Sequence, residues 1–424
     1  MKPKHNPSRI SPTLFTICLG MSVAGVHSVQ ADTWDGGGDG VSFEDALNWN
    51  TDAAPNAVAN TTSDINGVFT VDRDVVNNPG RAFVQGGAVL NVHGGVSHSD
   101  GQAGSTVRNF IGNGTDGTVN IYGAGTVYDI GHLLAISHTN NGVGTVKVYD
   151  GATYNGGRGS NSLVGGYGGS FTLAHTLSIG GNASSTGMTG LFEISNNAIV
   201  KTRTGVAVAN NGTFSVVGSG GSILLGGANT DAGWFLVSSN GTWKATVDLG
   251  GITPIFVEEQ DNASTTNPTA EFQAGALLDV GFSSTPVSGT WTLLEVENAD
   301  IVDGGLAFAP SVDTGVWSFN VDNSGANGLL TVTAVTSTPQ LTWNGTPNGD
   351  WDIGTTANWQ GAAVYAEPGE VTFDDSLAGT SAVNLTTTLS PLTLVVNNPV
   401  TNYTFSGIGK ISGATGLTKD GAGN

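Results

Sequence analysis

The sequence contains very little cysteine and very little charge. Of its 424 residues one is cysteine, and charged residues make up 11% of the chain. That cysteine, Cys18, lies within a segment that has the features of a cleaved signal. Without Cys18 the chain can form neither a disulfide nor a thiolate metal site. Its stability must therefore come from burial of apolar side chains and from backbone hydrogen bonds.

Positively charged residues are much scarcer than acidic ones. Lysine and arginine total 13 against 34 acidic residues, which gives a net charge of −21. Such a chain repels nucleic acid and anionic lipid, so neither a nucleic-acid partner nor membrane insertion within this chain is expected. Glycine is abundant, with 65 residues, but it follows no Gly-X-Y period, which excludes collagen. Glycine turns between Val and Ile pairs favour many short strands.

The first 31 residues have the pattern of an export signal. Lys2, Lys4 and Arg9 form a positive start, and residues 14–25 form an apolar core that is too short to anchor in a bilayer. Small residues then precede a predicted cleavage site after Ala31. We therefore expect a secreted protein that is located at the cell surface or associated with an outer membrane.

One ten-residue pattern recurs along the chain. In each copy apolar and polar residues alternate before a Gly or Asn turn, which is typical of a short strand with one buried face. An Ile or Val followed by a small residue precedes each copy. The copies start 27, 46 and 22 residues apart, and the long interval indicates a degenerate unit within residues 155–177. The copies span residues 117–126, 144–153, 190–199 and 212–221.

Stacking such copies would bury their apolar faces continuously. The predicted fold is therefore all-β, a right-handed parallel β-helix (β-solenoid) with a second β-repeat module near the C-terminus. Beyond residue 226 the chain becomes richer in aromatic residues, which indicates a closing part of the same solenoid. The predicted units are a signal peptide (1–31), an N-terminal Trp-capped β module (32–85), a β-helix repeat array (86–226), a closing β region (227–335) and a second, truncated β-strand repeat module (341–424).

Two tryptophan pairs indicate one module used twice. Trp34 and Trp49 are 15 residues apart, and Trp343 and Trp359 are 16 apart, each pair in a similar local sequence. A large ring at the end of a strand stack can cover its open apolar end. The alternative is that these four rings form an exposed platform on which sugar rings stack. They are therefore the candidate carbohydrate-binding residues.

Metal ligands are sparse. The histidines that follow the signal match no HExxH pattern and no close His/Asp spacing, so no metal site is predicted from them. The acidic, glycine-rich stretch around Asp39 matches a calcium-binding nonapeptide once, whereas calcium coils need consecutive copies. Calcium is thus the one cofactor to consider, and none is predicted. The residues concerned are His93, His98, His132, His138 and His175, and Asp35, Asp39, Glu44 and Asp45.

No catalytic residue is predicted. Some β-helices degrade polysaccharides, and such enzymes need paired carboxylates or a basic residue facing a calcium-bound acidic sugar. The acids of the array are spread singly, and its bases could either line a groove or form a solvated edge that discourages strand pairing. These acids are Asp116, Asp129, Asp150 and Glu193, and the bases are Arg108, Lys147, Arg158, Lys201 and Arg203.

The C-terminal part of the chain resembles a known family. Thr342-Trp343-Asn344-Gly345, Ala357-Asn358-Trp359, Val371-Thr372-Phe373-Asp374-Asp375 and Tyr403-Thr404-Phe405-Ser406-Gly407 together resemble the autotransporter-associated β-strand repeat region. The resemblance implies a passenger-type exported protein of a bacterium, whose last repeat is cut short here. It covers residues 341–424 well and is specific for the family, but the family is not specific for a function.

These observations predict an exported cell-surface β-solenoid passenger with a structural or adhesive role and no enzymatic activity. Its expected partner is an extracellular glycan or a host or matrix surface. Two alternatives are a carbohydrate-binding module of a larger surface protein and a polysaccharide-degrading β-helix.

Overall fold

The computed structural model is built almost wholly from short strands. It describes residues 31–54, 62–67, 69–73, 81–100, 108–131, 133–137, 141–157, 177–181, 187–226, 233–259, 269–284, 286–336, 340–413 and 415–424. The signal predicted for residues 1–31 lies outside these ranges, apart from Ala31. Among the described residues, no helix combines the length and apolar character needed to cross a membrane.

Three long sheets run through the first part of the chain, and each coil contributes one strand to each sheet in turn. Sheet I contains Ala31–Thr33 (β1), Thr62–Asn66 (β2), Arg81–Gln85 (β4), Arg108–Ile111 (β7), Leu133–Ile136 (β10), Leu177–Ile179 (β13), Gly205–Val208 (β16), Trp234–Val237 (β19), Thr269–Phe272 (β22) and Ile301–Asp303 (β25). Sheet II contains Thr70–Arg73 (β3), Ala88–Val92 (β5), Gly117–Tyr122 (β8), Val143–Tyr149 (β11), Thr189–Ser195 (β14), Gly212–Val217 (β17), Thr242–Val247 (β20), Leu277–Phe282 (β23) and Ala307–Phe308 (β26). Sheet III contains Ser97–Asp100 (β6), Val127–Ile130 (β9), Thr153–Gly156 (β12), Ile199–Thr202 (β15), Ser222–Leu225 (β18), Ile255–Val257 (β21), Gly289–Val296 (β24), Trp317–Asp322 (β27) and Gly328–Ala334 (β28).

The copies of the sequence repeat lie side by side in sheet II, paired residue by residue. Gly117 pairs with Gly144, Gly144 with Gly190, and Gly190 with Gly212, all in parallel strands. The Ile or Val that precedes each copy lies in sheet I, where Ile111, for example, pairs with Ile136. The predicted parallel β-helix is thus confirmed.

One expectation about the repeat is wrong. The interval of 46 residues between the second and third copies predicted a degenerate coil within residues 155–177. In the structure β11 and β14 are hydrogen-bonded neighbours, as are β10 with β13 and β12 with β15. No coil therefore intervenes in any of the three sheets, and most of the extra residues lie between β12 and β13. Residues 158–176 of that connection lie outside the described ranges.

The interior is a set of apolar columns that run across the coils. Alternate residues of sheet II point inward, so Val119, Val146, Phe192, Phe214 and Trp243 lie above one another and are at most 1% exposed. Phe192 and Phe214 stack with ring centroids 5.9 Å apart and nearly parallel planes. Each coil therefore buries its inner face only because its neighbours are present.

The solenoid ends in an antiparallel arrangement. Strand β28 pairs antiparallel with both β24 and β27, and Trp317 packs against Phe282 at 4.7 Å between ring centroids. The closing role of residues 227–335 stays a prediction. The segments 32–85, 86–226 and 227–335 share these sheets and one apolar core, so they belong to a single solenoid.

A second stack of parallel strands follows, with its own apolar core. One 3₁₀ helix precedes β2 and another lies within the second stack, at Ala46–Asn48 and Gln360–Ala362. The strands of the second stack are Gln340–Thr342 (β29), Asp350–Trp351 (β30), Glu370–Asp374 (β31), Ala382–Leu385 (β32), Thr388–Leu389 (β33), Thr393–Asn397 (β34), Thr404–Gly407 (β35), Lys410–Ile411 (β36) and Leu417–Asp420 (β37).

Candidate functional site

The two tryptophan pairs have the same geometry. Trp34 and Trp49 form an isolated antiparallel bridge with ring centroids 5.2 Å apart and planes at 89°. Trp343 and Trp359 form the same bridge, with values of 5.2 Å and 88°. Edge-to-face contact at this distance is a favourable arrangement of aromatic rings. The two copies recognised in the sequence therefore share their local structure.

These rings are inside the protein. Trp34, Trp49, Trp343 and Trp359 are 2%, 0%, 0% and 1% exposed. An aromatic ring binds a sugar by offering an open face, and these four rings are covered by other side chains. The platform expected as an alternative is therefore absent at these positions, and their geometry matches the capping role. They lie in the first described coil of each stack.

A buried asparagine holds each capping loop together. The Oδ1 atom of Asn48 accepts hydrogen bonds from the backbone N–H groups of Gly38 and Gly40, at 2.9 and 2.8 Å. In the second copy, Asn358 Oδ1 accepts from the N–H of Asn348 at 3.0 Å, and its amide donates back to Asn348 Oδ1 at 2.8 Å. Both asparagines are fully buried. Each amide therefore ties together groups of its loop that are distant in sequence.

The acidic loop considered for calcium is hydrogen-bonded to itself. Asp39 Oδ1 accepts from the N–H groups of Val41 and Ser42 and from the amide of Asn48, each at 2.8 Å. Hydrogen bonds from Ser42, Val41 and Asn48 hold the pKa of Asp39 well below its usual value. Asp45 Oδ2 accepts from the N–H of Asp39. These carboxylates stabilise the loop from within.

The histidines do not converge where the structure describes them. His93 stacks on Tyr122, and a ring nitrogen of buried His98 lies 2.9 Å from the His93 carbonyl oxygen. His132, His138 and His175 lie outside the described residues. Within the described ranges, no group of three or more His, Cys, Asp or Glu residues is placed to hold a metal ion.

The single acids of the array connect neighbouring coils. Glu193 pairs with Lys147 on the adjacent strand at 3.3 Å. Asp129 accepts a hydrogen bond from Asn155 at 2.8 Å, and Asp150 accepts one from Asn196 at 3.1 Å. Asp116 similarly accepts from the N–H of Val143. These carboxylates are therefore engaged between coils and do not form a facing acid pair.

The candidate basic residues are spread as well. Lys201 is exposed and Arg203 is partly buried on the same side of sheet III. Arg158 lies outside the described residues, and the side chain of Arg108 is likewise not described. Lys201 lies on β15, which pairs with both β12 and β18, so its exposed position is on an outer face and not at a sheet edge.

An outward aromatic ladder was missed in the sequence. His93, Tyr122 and Tyr149 occupy the same position in three successive coils, with ring centroids 5.0 and 5.3 Å apart and planes within 15° of parallel. All three are partly exposed. Burial, with negative charge nearby, raises the pKa of Tyr122 and Tyr149. The sequence does contain a pattern that predicts this ladder, because both close copies of the repeat carry Tyr at their sixth position.

A shallow groove follows the ladder at the turn between sheets II and III. It is a narrow gap without room for a water molecule, and its polar lining comes from Ser195, Asn197, Ser219 and Thr253. Ser219 donates to Asp248 through both its N–H and its hydroxyl, at 3.2 and 3.1 Å. Burial tends to raise the pKa of Asp248, but these bonds and backbone N–H groups lower it overall. The groove therefore offers hydroxyl and amide groups beside an ionised carboxylate.

Comparison with known proteins returned no similarity. No protein-family model and no curated protein matches the sequence, and no solved structure matches the fold.

Proposed function

We propose that the chain is an exported, cell-surface β-solenoid that works as a structural or adhesive element and has no enzymatic activity. The observation that carries this proposal is the continuous parallel stack of sheets I to III. Ten strands in sheet I, spaced by about 4.8 Å, give a rod of about 43 Å. Such a rod can hold its turns at a fixed distance from an attachment point.

The polar groups of the array support the same proposal. Glu193 pairs with Lys147, and Asn120 donates to Asn91, which in turn donates to Asp72. These side chains form ladders across coils on the outer face of sheet II. Side chains used in this way strengthen the rod and do not provide an acid and a base for hydrolysis.

Two measurements test this proposal. Proteinase K added to intact producing cells should remove the protein while a periplasmic marker stays intact. The purified protein, incubated with acidic and neutral polysaccharides, should release neither reducing nor unsaturated ends. Protection from the protease would contradict the surface location, and release of sugar ends would contradict the absence of enzymatic activity.

A further inference from the structure

The aromatic ladder stops at Tyr149. Strand β11 lies between β8 and β14 in sheet II. One face of the Tyr149 ring is therefore covered by Tyr122, at 5.3 Å between centroids. On the other side, the equivalent residue of the next coil is Ser195, because Val148 pairs with Ile194. A serine side chain is too small to cover a phenol ring, so the next coil does not continue the ladder of rings over the second face of Tyr149.

The position beside Ser195 is one ring thick. Ser195 pairs in turn with Val217, so Tyr149 and Val217 lie two coils apart, at about 9.6 Å. The rings already in the ladder are spaced by 5.0 and 5.3 Å. A further ring placed beside Ser195 would continue the same spacing. We call this position, bounded by Tyr149, Ser195 and Val217, the Tyr149 notch.

Polar groups surround the notch. Ser195 also lines the narrow groove, at whose rim Asn197 and Ser219 are accessible from solvent. The Ser219 hydroxyl donates to Asp248, which leaves its oxygen lone pairs to accept from a ligand. Next to Tyr149, Asp150 is exposed and accepts from Asn196. An aromatic face beside amides, hydroxyls and carboxylates matches a ring with C–H groups on its face and hydroxyls at its rim.

We propose that the Tyr149 notch binds a pyranose ring of a neutral polysaccharide. The electron-rich face of Tyr149 would pack against the C–H groups of the sugar, and the groove would hydrogen-bond its hydroxyls. Acidic sugars are disfavoured because the protein carries a net charge of −21. This proposal rests on the proposed adhesive function and specifies its ligand class.

Affinity electrophoresis of the full chain tests the site. Native gels would contain hydroxyethylcellulose, laminarin or dextran as neutral probes, and alginate as the acidic probe. At least one neutral polysaccharide should retard the protein and alginate should not. Tyr149→Ala should weaken that retardation at least tenfold, whereas Tyr149→Phe, which keeps the ring face, should change it less than threefold.

A second variant makes the test independent of losses in folding. Ser195→Tyr fills the notch by adding a fourth ring to the ladder, so it should abolish retardation without lowering the thermal midpoint. Thr213→Tyr adds the same side chain elsewhere on the outer face of sheet II and should leave retardation intact. The proposal is overturned if no neutral polysaccharide retards the protein, or if Tyr149→Ala and Ser195→Tyr both bind as the unchanged protein does. Accessibility to protease on intact cells is scored separately, so failure of this site is distinguishable from failure of the surface location.

Discussion

At the scale of single residues, the tryptophans act through burial. Trp49 is fully buried, packs against Trp34 and Phe43, and donates its indole N–H to the Phe43 carbonyl at 2.9 Å. The sequence predicts that the Trp pairs recur, because the neighbouring residues recur as well. It could not decide between an exposed and a buried ring, since that depends on Phe43 and on residues brought over it by the fold.

Replacement of Trp49 by alanine should therefore be severe. We expect Trp49→Ala to lower the free energy of unfolding by about 3–5 kcal/mol, the usual cost of emptying a large buried site. Leu47→Ala, two residues away and 56% exposed, should change it by less than about 0.5 kcal/mol. Urea unfolding followed by tryptophan fluorescence and circular dichroism measures both variants. Equal losses for the two variants would contradict a capping role for Trp49.

Tyr403 makes the stability of the folded chain depend on pH in the alkaline range. Burial, together with Asp374 and Asp375, raises the pKa of Tyr403 to about 12 in the folded chain, against 10.0 for an ordinary tyrosine. Below pH 10 the unfolded and folded chains both keep the proton, so this stability is fully present. Between pH 10 and 12 only the unfolded chain loses it, and stability falls. Tyr403→Phe should flatten this fall in urea unfolding at pH 9 to 12, and an unchanged slope would contradict the assignment.

At the scale of the strand, the repeated glycine has a steric cause. Gly144 and Gly212 begin the repeat in β11 and β17 with ordinary backbone angles, so turn geometry does not require glycine there. A Cβ atom at Gly212 would collide with the carbonyl oxygen of Ile179 in sheet I, and one at Gly144 with that of Ile111. The glycine therefore allows sheet II to start directly against the end of sheet I.

Alanine should thus be tolerated at one sheet II glycine and not at another. Gly212→Ala should destabilise the protein by about 1–3 kcal/mol, because the surrounding backbone must shift. Gly281→Ala, in the same sheet, has no atom within 4 Å of its Cβ position and should be close to neutral. Thermal unfolding compares the two. Similar thermal midpoints for the two variants would show that the closeness of Gly212 to the Ile179 carbonyl oxygen does not limit which side chain this position tolerates.

The strands were largely predictable, and the connections were not. Alternation and the recurring glycine place β8, β11, β14 and β17 in register, because this glycine lies close to a carbonyl oxygen of sheet I in each coil. The interval of 46 residues before residue 190 led to a wrong count of coils. A long connection and a degenerate coil lengthen a sequence equally, so the interval alone cannot distinguish them. The strand pairings separate these two interpretations, for example that of Val143 with Thr189. The Tyr149 notch was likewise hidden, because it depends on which residue of the next coil faces Tyr149.

At the scale of the whole molecule, the described residues form two large and separate apolar cores, beside two small apolar clusters. The first includes residues from Trp34 to Ala334 and the second residues from Leu341 to Tyr403, with no buried residue in common. Trp359→Ala should therefore shift one part of a urea unfolding curve and leave the other in place. Circular dichroism together with tryptophan fluorescence would detect this. A shift of the whole curve would indicate a single cooperative unit.

The most direct test of the solenoid is the distance between residues that are far apart in sequence. In a chain carrying Cys18→Ser, the pair Lys147→Cys and Glu193→Cys would occupy adjacent in-register strands, about 4.8 Å apart. The control pair Asn120→Cys and Glu193→Cys lies two coils apart, at about 9.6 Å, beyond the reach of about 7 Å for a disulfide. Mild oxidation followed by mass spectrometry should find the first crosslink and not the second. Absence of the first crosslink would mean that another coil intervenes, and would contradict the continuous stack on which the proposed function depends.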